Sequence, residues 1–205
     1  LMEFYQVKIP IHVQPSLALS VETRELGIMA GLQDRVAQIY EGLVFMDFAA
    51  ERTRIIDGME CGEYERLDPA ILPPLYVAFS AETGEPTEVT HGPLRVRYHQ
   101  GDQEVCDAMV EFAAITDRAR DALLAGDHAE FARLIDANFN LRKSICDLAR
   151  SHVEMIETAR SVGASAKFAG SGGAIVGTIP SGQDGYAKLT AAMTGIGCTV
   201  LRPTM

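Results

Sequence analysis

The sequence predicts an α+β fold, a mainly antiparallel sheet with helices on one face. Three observations predict it. Short apolar runs of strand length stand towards both ends, the middle from Asp102 to Val162 keeps helical spacing almost throughout, and Gly- or Pro-rich turns separate the two kinds of segment. With 205 residues, 47% hydrophobic and 22% charged, the chain can bury a core in one or two compact domains.

Taken in order, Leu1 to Val7 (LMEFYQV) reads as the last turns of an amphipathic helix already under way, so the chain is expected to be the later part of something longer. Pro10 and Pro15 punctuate the entry. Ser16 to Leu26 spaces Leu17, Leu19, Val21 and Leu26 among charges as a packed helix does, and Gly27 stops it. Leu32 to Tyr40 puts Leu32, Val36 and Ile39 on one stripe, and Gly42 then leads into Leu43 to Phe48 (LVFMDF), a run short enough for a buried strand. Glu51 to Leu72 is mixed in character and ends at Pro73-Pro74, after which Leu75 to Ser80 reads as a strand. Ala81 to Gly92 gathers Gly, Pro and Thr without apolar periodicity and reads as a loop.

In the helical middle, Val105, Met109, Phe112, Ile115, Ala119, Leu123 and Leu124 keep three-four spacing, and Phe131, Leu134 and Ile135 continue it. Breaks are expected at Gly126-Asp127 and near Asn138 to Asn140. The tail gives a strand at Ser165 to Phe168, the small residues Gly170 to Gly173, a strand at Ala174 to Ile179, a helix near Gly185 to Thr194 and a final strand at Cys198 to Leu201.

Composition excludes several functions. The net charge of -10 repels a phosphate backbone, so no nucleic-acid partner is expected, although a local basic pocket for a small anion is compatible with it. Cys61, Cys106, Cys146 and Cys198 lie far apart, with no C-x-x-C pair and no His at metal-ligand spacing; they read as reduced thiols of a cytoplasmic protein, and no metal site is expected. No apolar run reaches the roughly 20 residues that span a bilayer. His91 lies in the loop, His99, His128 and His152 on polar helical ground, and His12 beside the broken entry, so none makes a ligand set. Met109, Phe112 and Met155 read as core.

Two segments concentrate groups that do chemistry. Gly31 precedes a helix whose first turn holds Gln33, Asp34 and Arg35, a cluster that can address a polar substrate; Asp34 merely facing the positive end of the helix dipole suits the same residues. Gly170, Ser171, Gly172 and Gly173 stand between two apolar runs, where they let backbone N–H groups approach a phosphate or simply allow a tight turn. Neither a Walker spacing nor G-x-G-x-x-G is present.

In this order, AGLQDRVAQIYEGLVFMDF, ILPPLYVAFS, NFNLRK (Asn138 to Lys143) and GASAKFAGSGGAIV make the chain resemble the C-terminal part of the GHMP small-molecule kinases, and within them the glucuronokinases. The likeness runs over nearly the whole chain. It implies a ferredoxin-like four-stranded antiparallel sheet backed by helices in residues 73–205, with residues 1–72 as an incomplete helix-strand remnant of the preceding domain. It implies ATP-dependent phosphoryl transfer to the anomeric hydroxyl of a sugar or uronic acid, with Asp34 as base or orienting group. Gln33, Arg35 and Arg142 would then meet the substrate, Arg35 or Arg142 gripping a uronate carboxylate, while Gly170 to Gly173 and Lys167 would lie near the ATP phosphates. A surface lysine between strands fits Lys167 equally.

The family's Gly-Ser phosphate loop and its Mg2+ ligands have no counterpart in this sequence. They are expected in a missing N-terminal segment, which leaves the chain inactive by itself and with an exposed apolar surface that favours association, including with its own copies. The competing reading is a non-catalytic sugar- or partner-binding module derived from such a kinase.

Overall fold

A computed structural model describes residues 2–28, 30–80, 94–179, 182 and 184–203. The loop expected at Ala81 to Gly92, with His91, lies outside these residues. The chain forms two compact units, Leu1–Ala70 and Ile71–Thr204.

In the first unit, α1 (Met2–Tyr5) is a single turn, and α2 (Gln14–Ser20) starts with Pro15 in its first turn and continues through a π turn at Val21–Glu25. α3 (Leu32–Tyr40) follows the extended Gly31 and buries Val36 completely. β1 (Leu43–Asp47) and β4 (Glu63–Leu67) pair antiparallel with Phe45 opposite Glu65. The hairpin of β2 (Arg54–Ile56) and β3 (Met59–Cys61) turns on Asp57 and Gly58, both at positive φ. An Asp-Gly pair favours this turn, because its twist matches that of the flanking strands. α2 packs on β3, where the Ser16 hydroxyl donates to the Glu60 carbonyl at 2.6 Å beside the buried Cys61.

The second unit is a four-stranded antiparallel sheet in the order β6 (Lys167–Phe168), β7 (Ala174–Thr178), β5 (Leu75–Phe79), β8 (Thr199–Leu201). Val77 faces Val176 on one side and Leu201 on the other. The helices are α4 over residues 94–99, α5 (Gln103–Leu124), α6 (His128–Ile145), α7 (Arg150–Ser161) and α8 (Gly185–Gly195). Asp102 and Asp127 cap α5 and α6 by accepting from backbone N–H groups of the first turn. The period-two pattern of β5 sends Tyr76 and Ala78 into the core with Phe139, Ile156, Ile175, Leu189 and Met193, a helix-on-sheet α+β sandwich.

Some expectations are corrected. No break falls at Asn138 to Asn140; α6 runs through it because Phe139, 2% exposed, is anchored in the core, and the chain breaks instead between Cys146 and Ala149. The run Leu43 to Phe48 is half-buried rather than buried, ending at Asp47 with Phe48 exposed. The mixed stretch Glu51 to Leu72 holds three strands. Leu124 is exposed, and His152 is buried rather than on polar ground. Among the described residues no helix is long and apolar enough to cross a membrane.

Candidate functional site

In the first unit the polar cluster sits on the first turn of α3. Asp34 is the acid of that turn, its side chain 76% exposed, and its Oδ2 accepts from Arg35 Nη1 at 3.3 Å. Gln33 is exposed beside it. Arg35 is drawn inward: Nη2 pairs with Glu22 on the π turn and Nη1 also leans on the Gly31 carbonyl at 3.5 Å. The hydrogen bond and charge of Glu22 raise the guanidinium pKa, opposed by burial. Both terminal nitrogens are thus engaged by acids and backbone of this chain. Arg35 orients Asp34 in this geometry more directly than it offers a free fork to a ligand.

A cavity of about 280 Å³ lies at the opposite end of α3, lined by Tyr40, Glu41, Gly42, Leu43, Arg66, Leu67 and Pro69. Asp34 and Tyr40 are six residues apart, about 9 Å along the axis, so this cavity is separate from the carboxylate. Arg66 stacks over the Tyr40 ring at 5.3 Å. Neither residue was legible as a pair, because strand and helix meet only in the folded unit.

In the second unit Gly170 to Gly173 form the tight turn between β6 and β7, with Gly172 and Gly173 at φ of 149° and 73°. Arg142, near the end of α6, closes it: Nη1 donates to the Gly170 carbonyl at 2.8 Å, Nη2 to the Ser171 carbonyl at 3.4 Å, and the guanidinium lies 5.2 Å from the Phe168 ring centre. Lys167 Nζ donates to the Phe168 carbonyl at 3.1 Å. Burial lowers the pKa of both cations, and the charge of Arg142 lowers that of Lys167 further. His152 backs the turn, its ring edge-on to Phe168 at 5.8 Å. Arg142, Lys167 and the glycine turn therefore come together on one face. Gln33, Asp34 and Arg35 come together on another unit.

A second network that sequence reading missed holds this turn's strand in place. Asp136 Oδ1 accepts the Ala166 N–H at 2.9 Å and pairs with Arg160 Nε at 2.8 Å, while Arg160 Nη2 reaches the Asp136 and Ala166 carbonyls. Asp136 and Arg160 sit on different helices, and local periodicity carries no signal for such a clamp.

No family model matches the chain. It is 41% identical to "Glucuronokinase 1" of Arabidopsis thaliana over 89% of this chain and 50% of that protein, and 42% identical to "Probable glucuronokinase 2" of the same plant with the same shares. The chain thus spans about half the length of these curated relatives. Among solved structures it resembles Lactococcus lactis galactokinase complexed with galactose, with a TM-score of 0.73 at 15% identity, covering 98% of this chain and 61% of that one. It also resembles L. major mevalonate kinase in complex with R-mevalonate, with a TM-score of 0.69 at 20% identity over 98% of this chain and 60% of that one. By sequence the chain is similar to these glucuronokinases over nearly nine-tenths of its own length, and it shares the fold of the galactokinase and mevalonate kinase structures.

Proposed function

We propose that this chain belongs to an ATP-dependent sugar 1-kinase of glucuronokinase type. The reaction is transfer of the γ-phosphoryl group of ATP to the anomeric hydroxyl of a sugar or uronic acid. The observation that carries this reading is the 41% identity to a glucuronokinase across 89% of the chain.

The first turn of α3 supports it chemically. An exposed carboxylate held by a neighbouring arginine can orient an acceptor hydroxyl and take its proton, and phosphoryl transfer asks for positioning and charge more than for strong base catalysis. Gln33, exposed alongside, suits hydrogen bonds to sugar hydroxyls. In the other unit, backbone can approach phosphate oxygens closely at Gly170 to Gly173, with Lys167 adding charge.

Among the described residues no group of three or more His, Cys, Asp or Glu stands ready to hold a metal. Mg2+ bound with a nucleotide needs only one or two carboxylates beside the phosphates and water. On this reading the nucleotide-phosphate loop and the metal ligands belong to the half of the glucuronokinases that the chain does not span, and the chain alone turns over slowly. Residues 1–72 would complete the domain carrying that loop, and 73–205 form the other. Exposed Phe4, Tyr5, Leu26 and Ile28 support a further segment, or a second copy, covering the first unit.

The test is an activity screen of the full-length protein with ATP and Mg2+ against glucuronate, galacturonate, galactose and mevalonate, read by 31P NMR. A sugar 1-phosphate is expected, and Asp34→Asn should lower kcat by roughly 10²–10⁴ with the circular dichroism unchanged. Sugar binding without turnover would return the protein to a binding-module role.

A further inference from the structure

We propose that the cavity at the last turn of α3 binds a small zwitterion, an amino acid with an apolar side chain, its ammonium group at Glu41 and its carboxylate at Arg66. The site lies wholly within the first unit and separate from Asp34, so it does not rest on the phosphoryl-transfer reading.

Backbone strain marks the place. Glu41, the residue that ends α3, has φ 55° and ψ 167°, a region that glycine occupies freely and an L side chain enters only at a cost. Its N–H donates to the Ala37 carbonyl at 3.0 Å, and the glycine that would relieve the strain stands one position later, at Gly42. Helices commonly end on a glycine at this point, so a glutamate held there against strain points to a task for its side chain. That residue lines the cavity of about 280 Å³, whose size suits a small molecule.

Charge and shape select the ligand. Arg66 lines the same cavity from β4, its guanidinium 5.3 Å from the Tyr40 ring centre. Acids outnumber bases 28 to 18 in this chain, yet among the described residues that guanidinium meets the ring and no carboxylate. Glu41 likewise has no cationic partner among them. Opposite charges that line one cavity without meeting leave room for a ligand that carries both. The Glu41 end favours the cation further, because α3 stops there: among the described residues only the Ala37 carbonyl of its last turn accepts a backbone N–H from beyond the helix, which leaves the negative end of the helix dipole at this site. The Arg66 end favours the carboxylate, which a planar guanidinium takes in two parallel bonds. Leu43, Leu67 and Pro69 supply an apolar wall, and Gly42 lets Pro69 close in, since a Cβ there would stand 3.4 Å from Pro69 Cγ. A neutral sugar would leave both charges unanswered, and a simple anion would meet Glu41 as a like charge.

The test is isothermal titration calorimetry of the 205-residue chain with leucine and phenylalanine. The controls are isovalerate, which lacks the ammonium, isopentylamine, which lacks the carboxylate, and glycine, which lacks the side chain. At least one of the two amino acids should bind saturably, and each control about tenfold or more weakly. In 15N spectra the same amino acid should move the amides of Glu41, Gly42 and Leu67. Glu41→Gln and Arg66→Met change exposed side chains and should keep the fold, each weakening the amino acid about tenfold. Glu41→Gly should melt a few degrees higher than the parent, because the strain is relieved, while binding about tenfold more weakly. The site is overturned if neither amino acid binds, if isovalerate or isopentylamine binds as tightly as the amino acid, if Glu41→Gln and Arg66→Met bind it as the parent does, or if Glu41→Gly melts no higher than the parent.

Discussion

Replacing Gly172 by alanine tests how tightly the glycine turn is built. A Cβ at this position would lie 2.4 Å from His152 Nδ1 and 2.6 Å from Cε1. The imidazole cannot swing away cheaply, because His152 is 3% exposed and its ring meets Phe168, which itself packs edge-on against Phe139 at 5.2 Å. Two costs add: forcing a φ of 149° on an L residue, about 1–3 kcal/mol, and overpacking a filled core, about 1–3 kcal/mol. The smaller unfolded-state entropy of alanine offsets about 0.4–1 kcal/mol. The net expectation is a loss of about 1–5 kcal/mol, or roughly 3–20 °C in Tm.

Urea titration followed by far-ultraviolet circular dichroism gives this loss for the 71–204 unit. His152→Ala/Gly172→Ala separates the two costs, since it removes the ring the new methyl strikes. The steric part, about 1–3 kcal/mol, should reappear as favourable coupling in the double-mutant cycle. Costs that add within about 0.5 kcal/mol, or a Gly172→Ala variant as stable as the parent, would refute the packing argument.

Further outcomes are expected elsewhere. A Cβ at Gly177 would stand 1.7 Å from the Ser165 carbonyl, where backbone fixed by Tyr76 and Thr178 cannot yield, so Gly177→Ala should leave the 71–204 unit unfolded, seen as collapse of its dispersed amide spectrum. Arg97 holds the Asp102 carboxylate below its ordinary pKa, so the stability it contributes is complete above the unfolded carboxylate range near 4 and is lost as pH falls through the lower folded value. Thermal melts of Asp102→Asn should accordingly fall less steeply than the parent's between about pH 5 and 2. Because Arg35 is neutralised by Glu22 and Asp34, Arg35→Gln in the full-length protein should lower kcat while leaving the kcat/KM ratio of glucuronate to galactose within about threefold of the parent; collapse of that ratio would restore Arg35 as the carboxylate grip.

Much of the fold is written locally. The stripe of Leu32, Val36 and Ile39 and the extended Gly31 specify α3, and with it the placing of Gln33, Asp34 and Arg35 on a first turn. The strands β5 and β7 follow from apolar runs bounded by turns, and the Gly-rich stretch from its place between strands. The hairpin of β2 and β3 is not read in the mixed stretch: Asp57-Gly58 is a turn signal, but strands of three residues are too short to show a period. Asn138 to Asn140 misled for the converse reason: asparagines suggest a break, whereas burial of Phe139 outweighs a propensity cost of a few tenths of a kcal/mol.

By itself the sequence determined most helices, the strands β1, β5, β7 and β8, and the kinase relatives the chain resembles, since these depend on residues close along the chain or on their order. Only the tertiary structure decided that Arg35 is spent on Glu22, that His152 fills the space behind Gly172, and that Arg142 ties down two carbonyls 28 and 29 residues away. Charge pairing and steric fit are properties of distances in space, and the separations that set them close only when the core does.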